Sequence, residues 1–109
     1  VFDKNRFLNN KKKIELIKGD ANKTIPLYLK KNSELLVSLL FLDFDIYQPT
    51  KVALDYFLPR MSKGGIIAFD QLNNPDWPGE TLAYLEKTKL KKYKLENLNF
   101  EPNISFIQI

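Results

Sequence analysis

The sequence predicts an α/β fold, a mostly parallel sheet that closes with a C-terminal antiparallel hairpin. Three observations carry this. Residues 35–45, LLVSLLFLDFD, are almost unbroken in apolar side chains and end in carboxylates. A second apolar run, residues 66–69, follows Gly64-Gly65 and ends in Asp70. Between them, residues 47–61 repeat apolar positions at helical spacing. Strand, crossover helix, strand is the unit of a parallel sheet. Such a sheet gathers the carboxyl ends of its strands on one edge, where open α/β sheets bind ligands. Asp43, Asp45 and Asp70 are therefore expected to converge in space.

The elements follow in order. Residues 2–10 read as the end of a helix or a loop. Residues 14–18 (IELIK) alternate apolar and polar before Gly19-Asp20, which predicts a short strand. Thr24 and Pro26 open a short helix through Leu27, Tyr28 and Leu29 that stops near Asn32. Residues 35–42, interrupted only by Ser38, predict a strand covered by helices on both faces, because no polar side is left. Pro49, followed by Thr50, marks the start of the crossover helix, since proline is pre-set for a first helical turn. Val52, Ala53, Tyr56 and Phe57, with Leu54, Leu58 and Met61 one row over, form its apolar face. Lys63-Gly64-Gly65 predicts a helix stop and a tight turn.

Asn73-Asn74-Pro75-Asp76 is dense in turn formers and reads as a loop. Pro78 opens a further helix, with Glu80 in its first turn offsetting the dipole and Leu82, Leu85 and Leu90 facing inward. Residues 93–100 and 104–109 flank Glu101-Pro102-Asn103 and predict the hairpin. The order is β-α-β-α-β-α-β-β.

Composition narrows the chemistry. At 109 residues the chain is a single domain, with eight Phe, five Tyr and one Trp to fill a core. There is no cysteine, hence no disulfide and no thiolate metal site. There is no histidine, which removes the commonest general base and transition-metal ligand. Proton transfer then falls to carboxylates, lysines or tyrosines, and a bound metal is expected to be a hard, oxygen-liganded ion such as Mg²⁺. The net charge of +4 comes largely from lysine clusters at 11–13, 30–31 and 87–94. These read as a solvated surface rather than a nucleic-acid patch. No segment is long and apolar enough for a membrane span, and no signal-peptide pattern opens the chain, so a cytoplasmic location is expected. The chain begins at Val1 and contains no Gly-x-Gly. A nucleotide-binding α/β protein places such a turn after its first strand, so the expectation is the C-terminal portion of a larger domain.

The series of motifs resembles a family. Asp43-Phe44-Asp45-Ile46-Tyr47 matches a strand ending in Asp-x-Asp-x-Tyr. Thr50 and Ala53-Leu54 match the following helix, and residues 59–65 match a Pro-x-x-x-x-Gly-Gly turn. Asp70-Gln71 matches, in part, an acidic pair, while Lys18-Gly19-Asp20-Ala21 and Thr24-Ile25-Pro26 fit the segment beside the cofactor's adenine. From Ile14 onward the chain is similar to the second half of class I S-adenosylmethionine-dependent methyltransferases of the macrocin O-methyltransferase type. The resemblance implies a Rossmann-like methyltransferase fold whose N-terminal strands lie outside this chain. It also implies methyl transfer from S-adenosylmethionine to a hydroxyl of a sugar or another small polar acceptor.

By that resemblance Gly19, Asp20, Ala21 and Asp43 contact the cofactor. Asp43 and Asp70 act at the acceptor, as ligands of Mg²⁺ or with Asp43 as the base, and Gln71 is a weak third ligand or an acceptor contact. Gln71 departs from the family's second acid and lowers the charge offered to a cation. The roles of Asp45, Tyr47, Asn73, Asn74 and Trp77 divide evenly or worse between chemistry and structure: helix approach for Asp45, packing for Tyr47, turn and loop anchoring for the others.

Two other readings compete. An apolar strand followed by Asp-x-Asp also describes haloacid-dehalogenase-type phosphatases, with Asp43 as nucleophile and Asp45 as acid. That motif usually opens a chain and continues with Thr or Val where Tyr47 stands here. A non-catalytic binding or assembly remnant is the third reading. An apolar edge beside residues 35–42 would then pair with a second copy, giving a homodimer.

Overall fold

The computed structural model describes residues 14–87 and 89–109. The reading of residues 2–10 lies outside them. Among the described residues, three α-helices and four strands follow one another as α1 (Ala21–Lys31), β1 (Val37–Leu42), α2 (Tyr47–Phe57), β2 (Met61–Phe69), α3 (Gly79–Glu86), β3 (Glu96–Asn97) and β4 (Ser105–Gln108). Short 3-10 turns occupy Leu58–Arg60 and Leu90–Lys92. The sheet order is β1-β2-β4-β3. β1 and β2 run parallel, with Leu40 opposite Ile67 and Leu42 opposite Phe69. β4 is antiparallel to β2 and to β3. The α/β architecture with a terminal hairpin is as the sequence predicts, in a mixed sheet.

The helices share one face of that sheet, with α2 packed against both α1 and α3. Leu40 and Leu42 of β1, Ile67 and Phe69 of β2 and Ile107 of β4 bury against Ala53 and Leu54 of α2 and Ala83 and Tyr84 of α3. Phe69 and Tyr84 meet edge to face at 5.6 Å, an arrangement the ring quadrupoles favour. Arg60 ties the far end together. Its guanidinium Nη1 donates to the carbonyl of Ser33 at 2.7 Å, with those of Asn32 and Leu35 at 3.4 and 3.5 Å.

The structure departs from the sequence reading at five places. Residues 14–18 are irregular and exposed, with Leu16 93% accessible. A strand exists only through its ladder, and the described sheet is built from four other segments. α1 starts at Ala21, and Pro26 lies inside it. The Asp20 carboxylate caps the helix by accepting from the Asn22 N–H at 3.0 Å, so the start lies upstream of Thr24.

β1 is buried on one face only. Leu40 and Leu42 point to the core, while Leu39 is 62% and Phe41 49% exposed. Helix α2 ends at Phe57, and the 3-10 turn with Pro59 breaks the chain before Met61 opens β2. The glycines then serve a bulge within β2 rather than a turn before it. Val37 pairs with Met61 but Leu39 with Ile66, so two steps on β1 face five on β2. Gly64 takes a φ of +83° there, and Gly65 lies so close to the backbone that a Cβ would fall 2.9 Å from the Ser62 carbonyl. Last, Leu82 and Leu85 of α3 are exposed; Glu80, Ala83 and Tyr84 face inward, and Leu90 reaches the core from its 3-10 turn.

Candidate active site

The parallel pair β1 and β2 ends in register, and the Asp70 N–H donates to the Leu42 carbonyl at 3.0 Å, one residue beyond the strand. Asp43 and Asp70 thereby leave the sheet side by side. Asp45 joins them: the three carboxylates each offer an oxygen within 4.8 Å of the others. Asp45 reaches this position with a backbone φ of +62°, a left-handed conformation that Asp tolerates better than most residues. Its Oδ1 is buried and makes no hydrogen bond among the described residues. Helix capping does not explain the group. α2 starts from Ile46 and α3 from Pro78, neither with a side-chain cap.

Asp70 feels the crowding. Partial burial first, then the charge of Asp43 and a hydrogen bond with it, then Asp45 and Glu101, hold its carboxyl above the ordinary carboxylate range. Three hard carboxylate donors, one of them carrying an oxygen that is buried and unbonded among the described residues, form the kind of donor set that Mg²⁺ or Ca²⁺ takes. An orphaned buried oxygen is costly unless a proton or a cation meets it. The residues present therefore fit a hard divalent cation.

Sequence reasoning missed the residue beneath the trio. Glu80 is fully buried. Its Oε1 accepts from the backbone N–H of Phe44 at 3.0 Å and of Asp45 at 3.3 Å, and its Oε2 faces the N–H of Gln71 at 3.4 Å. Burial pushes its carboxyl up; the three N–H groups oppose this, and Asp45 adds to it. The available sequence signal was Gly79. A Cβ there would lie 2.3 Å from Tyr47 N and 2.5 and 2.6 Å from Ile46 atoms, so glycine admits α3 against the backbone that carries Asp45.

The other predicted residues divide. Gln71 gives its backbone to Glu80, and its side-chain oxygen is buried and without a hydrogen bond among the described residues. Gly19, Asp20 and Ala21 form the start of α1, where Asp20 is the cap. Tyr47 donates its hydroxyl to Glu86. Asn74 Oδ1 accepts from the Asp76 N–H, a turn role, and the Asn73 N–H donates to Thr81 Oγ1. Trp77 is half exposed, its N–H bonded to the Asn74 carbonyl. Beside Gln71, a cavity of about 450 Å³ opens between the loop after β2 and the hairpin, with Asn73, Asn74, Asn97 and Asn103 on its wall.

No family model and no curated protein sequence matches the chain. Solved structures do. The chain is 37% identical to CalS11, a TDP-rhamnose 3′-O-methyltransferase of calicheamicin biosynthesis, with a TM-score of 0.79. The match covers 84% of this chain and 39% of that one. A second CalS11 structure gives the same score and identity over 36% of its length. The O-methyltransferase NovP, 22% identical with a TM-score of 0.53 over 65% of this chain and 28% of its own, shares the fold. The chain thus spans well under half the length of the structures it matches. In sequence and fold the chain is similar to part of a sugar O-methyltransferase, consistent with a class I S-adenosylmethionine-dependent methyltransferase.

Proposed function

We propose that the protein transfers a methyl group from S-adenosylmethionine to a hydroxyl of a sugar, as the C-terminal portion of a class I, macrocin-type methyltransferase domain. The observation that carries this is the convergence of Asp43, Asp45 and Asp70 at the ends of two parallel strands, in a chain 37% identical to a sugar O-methyltransferase. Gly19, Asp20, Ala21 and Asp43 are the proposed cofactor contacts. The amide-lined cavity beside Gln71 suits an acceptor rich in hydroxyls. A cytoplasmic location and a homodimer through the strand edge beside residues 35–42 complete the proposal.

Methyl transfer from a sulfonium is an in-line displacement. The protein supplies alignment of the acceptor oxygen and removal of its proton. Asp43, Asp45 and Asp70 would hold a hard divalent cation, with the Gln71 amide as a weaker neighbour. Such an ion, when bound, lowers the pKa of a coordinated hydroxyl and orients it. Asp43 holds the acceptor on the β1 side and Asp70 on the β2 side, and a carboxylate of the trio takes the proton.

The test is methyl transfer from labelled S-adenosylmethionine to TDP-sugars by the protein expressed from its complete reading frame, with and without Mg²⁺. Asp43→Asn and Asp70→Asn are each expected to lower kcat by about 10²-fold or more. Full activity in both variants, or no binding of S-adenosylhomocysteine by the wild type, would overturn the reading.

A further inference from the structure

We infer that Glu80 is the positioning residue of the carboxylate site: it sets the geometry in which Asp45 joins Asp43 and Asp70, and thereby the affinity for a hard divalent cation. The inference rests on the cation site proposed above and extends it to a residue on another element.

Two independent observations support it. The first is the hydrogen bonding. One carboxylate spans both strand ends, with Oε1 on the N–H groups of Phe44 and Asp45 and Oε2 on that of Gln71. Phe44 and Gln71 directly follow Asp43 and Asp70. Asp45 is held in the left-handed region, φ +62°, which costs a non-glycine residue energy and persists only where the surroundings impose it. The Asp45 N–H bonded to Glu80 is part of that imposition.

The second is the approach of α3. Gly79 stands where a Cβ would collide with backbone atoms of Ile46 and Tyr47. The clash is with main chain, which cannot swing aside as a side-chain end can. α3 is thus seated at a distance from which a glutamate, fully buried, reaches the loop. Burying a carboxylate is expensive. Beneath three carboxylates it also adds negative charge where charges already repel. A neutral side chain of the same shape would avoid both penalties, so the placement points to geometry and cation attraction. Supporting partners behind metal ligands are worth about 10–100-fold in affinity or activity.

The experiment uses the protein from the complete reading frame, with Mg²⁺ alone as the probe. Glu80→Gln keeps shape and one oxygen, but its NH₂ cannot accept, so one of the two strand ends loses its acceptor. Three quantities are read: the melting temperature, the Mg²⁺ dissociation constant by calorimetry, and amide hydrogen exchange at Phe44, Asp45 and Gln71. A folded variant with about 10–100-fold weaker Mg²⁺ binding and faster exchange at those amides is the expected result. A folded variant with wild-type Mg²⁺ affinity overturns the inference even if its melting temperature falls, because a merely structural role predicts that outcome.

If Glu80→Gln does not fold, exchange in the wild type decides. Protection of Phe44 and Asp45 close to that of the core supports the brace, and loop-like exchange overturns it. A wild type that binds no Mg²⁺ refutes the cation site itself. The positioning of Asp45 is then judged on the exchange rates alone.

Discussion

The two faces of the sheet differ. On the helix-covered face Leu42, Ile67, Phe69 and Ile107 are sealed against α2 and α3. On the opposite face Leu39 and Phe41 are open, although the residues of β1 are apolar on both sides. An unbroken apolar strand records a demand for burial on two sides, while the described residues supply helices on one. Hydrophobicity alone does not say where the second cover comes from.

The largest effect is expected from Leu42→Ala on the covered face. It removes buried methyl groups from a packed core and should cost about 2–5 kcal/mol in denaturant unfolding. A cost as small as that of Leu39→Ala would erase the distinction between the faces. Next comes Gly79→Ala. Its Cβ would meet backbone at 2.3–2.6 Å, and overpacking of that kind costs about 1–3 kcal/mol. A melt unchanged from wild type would show that α3 can retreat freely.

A smaller effect of opposite sign is expected from Asp70→Asn, because active-site charge is maintained at the expense of stability. Without a cation it should raise the melting temperature slightly. The carboxyl of Asp70 is held above its ordinary value, so its relative contribution is present in acid and lost as the pH rises through the folded value. The gain should therefore be absent in acid and open as the pH rises. A pH-independent difference in melting temperature would contradict the crowding of the trio. The smallest effect belongs to Leu39→Ala in the 109-residue chain, within about 0.5 kcal/mol. A large cost at Leu39 in the product of the complete reading frame would instead show that residues beyond those described close this face.

Much of the fold was legible because local chemistry and tertiary use agreed. β1 and the core of β2 follow from unbroken apolar runs, α2 from apolar period, and the hairpin from its Pro-Asn turn. The agreement failed where a local pattern had two uses. Gly64 and Gly65 permit a turn or a bulge alike, and the pairing of Ile109 with Gly64 and Gly65 selects the bulge. The alternation in residues 14–18 needs a neighbouring strand to become a ladder. Leu82 and Leu85 fit an inward stripe, but Gly79 rotates α3 so that Glu80, Ala83 and Tyr84 face the core. Asp43 and Asp70 were legible as a pair from the end of each strand. Asp45 was expected beside them as well; its left-handed backbone, and the Glu80 carboxylate on its N–H from thirty-five positions away, were not legible.

Arg60 has a consequence of another kind. By fanning across the carbonyls of Asn32, Ser33 and Leu35, it couples the end of α1 and the approach to β1 to the link between α2 and β2. α1 packs chiefly on α2, which would otherwise leave it free to detach first. With the guanidinium in place, release of α1 also strips the lead-in to β1. The two segments should open as one cooperative unit, and Arg60→Ala should split that unit into two.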